Sequence, residues 1–219
     1  MAKSISLDQV IEQECKSISL DHVIEQECNS FRAFPPEIVC FLFDACALKL
    51  TYDPCYEDKA YTCFITYGVI GQVLRHEDIF GKNAVKDIMR LLHPRILMPC
   101  ISQEDEEDIL QASLSGPKRR NFRNWRDKMI GEVDSQQIGY ALALARKHRP
   151  SVLLSDDSDI LSTVRTLRQQ FEYAKTYISA VSLRRYLEKK YSSQLAGLTQ
   201  KPRDLLFQEI YSRYQRVVA

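Results

Sequence analysis

The sequence predicts an α/β protein, a three-layer α/β/α sandwich around a central, mainly parallel sheet. Three observations point there. Short continuous apolar runs such as EIVCFLF (37–43) and VLLS (152–155) read as strands buried on both faces. Amphipathic stretches such as FGKNAVKDIMRLL (80–92) and DSQQIGYALALARKH (134–148) read as helices between them. Strand and helix alternate along the chain, the pattern of a parallel sheet covered on both sides.

The bulk composition leaves room for such a core. The chain has 219 residues, 45% of them hydrophobic, enough for one generous domain with extensions. Lys and Arg number 30 against 29 Asp and Glu, so the net charge of +1 argues neither for nor against a polyanionic partner. The seven cysteines (15, 28, 40, 46, 55, 63, 100) form no C-x-x-C pair, and several lie in apolar surroundings. They read as reduced, mostly buried thiols of a cytoplasmic compartment. The four histidines (22, 76, 93, 148) show no ligand spacing with them, so no structural zinc is expected. The start MAKSISLDQVIEQEC carries charges where a secretory signal is apolar, and IVCFLF is too short to span a bilayer. The expectation is a soluble protein with no membrane contact.

The elements follow in order. KSISLDQVIEQEC (3–15) returns as KSISLDHVIEQEC (16–28), with His22 replacing Gln9. Each copy places Leu, Val and Ile at helical spacing, and Ser6 with Gln9 suits a capping box. Residues 1–34 therefore read as a peripheral helical arm, a candidate contact for a protein inhibitor or other partner. Pro35 and Pro36 mark a boundary, and the main domain is expected over 35–190. A helix is expected at 56–63, and YTCFITYGVI (61–70) fits strand or helix. RILMPC (95–100) reads as a strand. Residues 102–114 read as a helix with Ser102 as cap and acids in its first turn. Helices at 118–130 and 159–170, a strand at 176–180 and a helix at 181–192 complete the domain. A C-terminal helical extension (191–219) follows, with its helix at 202–217.

Acids cluster where such a fold gathers chemistry, at the carboxyl ends of its strands. Asp44 follows EIVCFLF, and Asp156 and Asp157 follow VLLS. Asp134 opens the helix before VLLS. That helix runs antiparallel to the strand, so its start lies at the same sheet edge. Its inner face would carry Ile138, Ala141, Leu142 and Ala145. Carboxylates brought together repel unless they take up protons or hold a cation, and an all-oxygen set suits Mg²⁺ or Mn²⁺. Taken alone, each acid is more often a helix cap than a ligand. Of the pair after VLLS, Asp156 is expected as the solvent-side cap and Asp157 as the ligand.

FLFDACAL, GEVDSQQIGYALALA, VLLSDDSDIL and TYISAVSLRRYL, in that order over roughly 37–190, resemble the PIN domain family. The resemblance implies a compact α/β/α fold and a metal-dependent endoribonuclease, of the toxin or RNA-processing kind. It also implies Mg²⁺ or Mn²⁺ held by Asp44, Asp134 and Asp157, with Asp159 as a further catalytic acid. Ser155 stands where the family often has a hydroxyl, and dimers are favoured. In one place the sequence departs from the pattern: ITYGVIGQV puts Gln72 where the family usually has Glu. Gln72 is a neutral oxygen donor, so one charge is missing. The alternative is a catalytically degenerate PIN-like module that binds RNA or protein without cleavage. PKRRNFRNWRDK (117–128) supplies candidate RNA contacts in Lys118, Arg119, Arg120, Arg123 and Arg126, with Phe122 and Trp125 interleaved.

Overall fold

The computed structural model describes residues 20–48, 61–80, 82–92, 94–97, 101–115, 130–182, 185, 186 and 189. The first repeat copy, the basic stretch 117–128 and the C-terminal extension lie outside them. So do Lys118, Arg119, Arg120, Arg123 and Arg126.

Five strands form one sheet: β1 (Cys40–Phe43), β2 (Thr62–Thr66), β3 (Arg95–Leu97), β4 (Ser151–Leu154) and β5 (Ile178–Val181). Their order is β3-β2-β1-β4-β5 and every pairing is parallel, with Phe43 beside Leu154 and Leu42 beside Phe64. Parallel strands need helical crossovers, and these cover both faces. β1 and β4 are buried along their whole length, as their continuous apolar runs require.

Because side chains alternate across a strand, each central strand feeds two cores. Phe41, Phe43, Ile65, Val152 and Leu154 face one helical layer. That layer comprises α1 (Leu20–Glu27), α2 (Ala45–Leu48), α3 (Tyr67–Arg75), α4 (Glu77–Phe80) and α5 (Ala84–Leu92). Cys40, Leu42, Phe64 and Leu153 face the other. There lie α6 (Gln103–Ser115), α7 (Glu132–Arg146), α8 (Ser158–Gln170) and α9 (Glu172–Tyr177). The fold is a three-layer α/β/α sandwich. The inner face expected of α7 is correct: Ile138, Ala141, Leu142 and Ala145 are fully buried. No helix among the described residues is long and apolar enough to cross a membrane.

Some elements differ from their sequence-based expectations. Thr62–Thr66 is a strand, so a helix over 56–63 does not extend through Thr62 and Cys63. Its β-branched and aromatic residues fit a pleated surface. Helix then starts at Tyr67, where Thr66 Oγ1 accepts the Val69 N–H at 3.4 Å. The second repeat copy is more than a peripheral arm. Leu20, Val23, Ile24 and Cys28, together with Phe31, are buried in the same core as β1. The acids of α6 gather on one cation: Arg146 on α7 meets Asp105 at 2.8 Å, Glu104 at 3.0 Å and Asp108 at 3.6 Å.

Two local devices aim the chain at the site. α7 ends with His148 in the left-handed region at φ 56°, and the N–H groups of His148 and Arg149 close on the carbonyls of Ala145 and Leu144. This turns the chain through Pro150 into β4. Gly68 permits a close approach of α3 to α7, since a Cβ there would meet Val133 at 2.9 Å. That approach brings Gln72, one turn further along α3, to the same cleft as Asp134.

Candidate metal centre at the sheet switch point

The strand order reverses direction between β1 and β4, where successive crossovers leave to opposite sides. A crevice opens there beyond the carboxyl ends. The cleft found at that place has a volume of about 450 Å³ and is lined by Asp44, Gln72, Asp134, Asp156 and Asp157, together with Cys46, His76 and Phe80. Four of the expected residues, Asp44, Gln72, Asp134 and Asp157, thus meet in one place. Ser155 is fully buried directly beneath them. Asp159 lies in the first turn of α8 and is not among the lining residues. Four carboxylates line this cleft, and among the described residues no Lys or Arg does.

Asp44 is the most deeply set acid, 6% exposed. Its Oδ1 accepts the Ala45 N–H at 2.7 Å and Gln137 Nε2 at 3.1 Å. Its Oδ2 accepts Ser155 Oγ at 2.8 Å and Cys46 Sγ at 2.7 Å. A carboxylate has about four lone-pair positions, so all are used. Burial, then the Asp44 charge and its hydrogen bond, push the Cys46 thiol up to about 12. Cys46 is therefore a proton donor here and no nucleophile. Its sulfur in turn accepts the Asp156 N–H at 3.0 Å.

Ser155 ties the two strand ends together. Its hydroxyl donates to Asp44 and accepts the Asp157 N–H at 2.9 Å. The expected division between Asp156 and Asp157 is altered. Asp157 is the N-cap of α8, with Oδ1 accepting the Asp159 N–H at 2.6 Å, while still facing the cleft. Asp156 Oδ1 accepts Ser182 Oγ at 2.8 Å. Asp134 stands in the first turn of α7, whose N-cap Gly131 brings no side chain. A Cβ at Gly131 would meet Asp134 Oδ2 at 3.2 Å, so the carboxylate lies back over the positive helix start.

Gln72 differs from its neighbours. Its Oε1 is buried with no hydrogen-bond partner among the described residues. A carbonyl oxygen in that condition is costly unless something approaches it. The set is chemically suited to a hard cation: carboxylate oxygens and one vacant amide oxygen. As placed, among the described residues no three His, Cys, Asp or Glu side chains are disposed to hold one ion. Sequence reasoning missed Cys46, His76 and Gln137. Helical spacing carried the signal for two of them, since His76 follows Gln72 by one turn and Gln137 follows Asp134 by nearly one.

Comparison with protein-family models, with curated proteins and with solved structures returns no match for this chain.

Proposed function

We propose that the chain is a metal-dependent endoribonuclease of the PIN kind, hydrolysing RNA phosphodiester bonds in the acidic cleft. The observation that carries this reading is the convergence of Asp44, Asp134 and Asp157 on the switch-point cleft. A cleft of that charge concentrates cations. Asp44, Asp134 and Asp157 would hold Mg²⁺ or Mn²⁺, and the vacant Gln72 Oε1 would receive a metal-bound water. When bound, such an ion supplies an activated water and neutralises charge on the phosphodiester.

The chain's own groups prepare the site. Ser155 and Cys46 hold Asp44 through hydrogen bonds from rotatable O–H and S–H groups. The Asp157 N–H fixes the Ser155 hydroxyl, so the two strand ends keep their spacing. Phe80 gives the cleft one apolar wall. The described cysteines 28, 40, 46 and 63 are unpaired, in keeping with a reducing cytoplasmic setting. The test is cleavage of a labelled single-stranded RNA. Wild-type protein cuts with Mg²⁺ or Mn²⁺ and stops in EDTA, and Asp44→Asn stays folded but inactive. Full activity in Asp44→Asn would overturn the assignment.

One observation favours a second reading, a degenerate module that binds RNA or protein without cutting. Asp44 is already satisfied by four protein donors, and Gln72 removes a charge. Gln72→Glu separates the two. Cleavage appearing only in that variant identifies a site that has lost its chemistry.

A further inference from the structure

A second concavity, of about 370 Å³, lies beside β5 and carries the opposite charge. Arg165 and Arg168 of α8, Lys175 of α9 and Arg185 line it, against the single carboxylate of Glu27. That carboxylate is taken by Lys189 at 3.0 Å, and Lys175 is taken by Glu172 at 3.3 Å. Arg165, Arg168 and Arg185 have no carboxylate partner among the described residues; Arg168 reaches only the Lys175 carbonyl, at 3.5 Å. Three guanidinium groups with no carboxylate partner among the described residues thus line one concavity together with Val164 and Val181. The planar fork of each matches phosphate oxygens bidentately.

This groove adjoins the acidic cleft. Ser182 lines the groove and donates to Asp156, which lines the cleft, at 2.8 Å. Four carboxylates line the cleft and, among the described residues, no Lys or Arg does with which to grip a polyanion. A nucleic-acid substrate therefore needs a cationic hold outside it, and the groove is next to it. We propose that Arg165, Arg168 and Arg185 bind the phosphate backbone of single-stranded RNA leading out of the acidic cleft. The RNA identity rests on the nuclease reading; the anion site rests on the arginines alone.

The experiment is fluorescence anisotropy of a labelled single-stranded RNA with the full chain in EDTA, across a salt series. Each phosphate contact contributes about 0.7 to the log–log salt slope for single strands. Arg165→Ala/Arg168→Ala/Arg185→Ala should lose about two units of slope and weaken binding at least about tenfold at low salt. Arg168 is partly buried, so Arg165→Ala/Arg185→Ala, both exposed, serves as a second variant that keeps the fold. It should lose about 1.4 units of slope. Unchanged affinity and slope in both variants, or no binding by wild type, would overturn the proposal. So would a polyglutamate peptide that binds the groove in preference to RNA. Binding that falls in the arginine variants while wild type cuts nothing with Mg²⁺ supports the groove and sinks the nuclease reading. Metal-dependent cutting with undiminished binding in those variants does the reverse.

Discussion

The acidic cleft and the arginine groove stand on either side of the Ser182–Asp156 hydrogen bond, and they treat charge in opposite ways. In the cleft, Asp44 is buried and wrapped in four donors from three segments of the chain. In the groove, Arg165 and Arg185 are exposed and have no carboxylate partner among the described residues. Buried charge must be satisfied by the fold itself, so the fold depends on it. Exposed charge can be left for a ligand, because water holds it meanwhile.

That contrast is broken most severely at Asp44. Asp44→Ala removes the shared acceptor of Ala45, Gln137, Ser155 and Cys46, and should cost about 3 kcal/mol. Asp44→Asn keeps one acceptor oxygen, and the Ser155 and Cys46 hydrogens can turn so that both accept from the new amide. It should cost only about 1 kcal/mol. Arg165→Ala/Arg185→Ala in the groove should stay within about 0.5 kcal/mol of wild type. Urea midpoints of the purified variants check this order. If the arginine pair proves as costly as Asp44→Ala, the groove is structural.

Gly68→Ala tests how the cleft is assembled. The added methyl meets Val133 at 2.9 Å, so α3 must move off α7, at a cost of about 2 kcal/mol. Gln72 moves with α3, and cleavage should fall more than folding does. A fully active, fully stable Gly68→Ala protein would show that the α3–α7 approach is unimportant.

Alkali offers a gentler probe. The folded chain holds the Cys46 proton up to about 12, whereas an ordinary thiol releases it near 9.0. Between those values the unfolded state binds fewer protons, so stability falls as pH rises, by at most about 1.4 kcal/mol per pH unit for this one group. Below that window the contribution is fully present. Cys28 and Cys63 are raised too, so the measurement is the difference between wild type and Cys46→Ala. The variant should show the shallower decline from pH 9 upward. Identical slopes would mean that the fold does not hold the Cys46 thiol protonated above its ordinary range.

Parts of this were legible in the sequence for physical reasons. FLF and VLL are apolar without alternation, which only strands buried on both faces require. The acids after them must then share an edge, and an antiparallel helix start such as Asp134 joins them there. Other features depend on facts no pattern carries. The strand at Thr62–Thr66 and the helix at Tyr67 meet within one apolar stretch, and the Thr66 cap decides the boundary. The filling of Asp44 depends on rotamers of Cys46, Ser155 and Gln137. The groove escaped because its arginines come from α8 and from beyond β5, while the sequence draws attention to the contiguous basic run at 117–128.

The most direct measurement is a titration with Mn²⁺ followed by electron paramagnetic resonance, comparing wild type with Asp44→Asn and Asp134→Asn. Wild type should bind Mn²⁺ saturably, and each substitution should weaken that binding by at least about tenfold with the fold intact. Wild-type protein that leaves Mn²⁺ free in solution, or variants that bind it equally well, would contradict the metal centre on which the proposed chemistry depends.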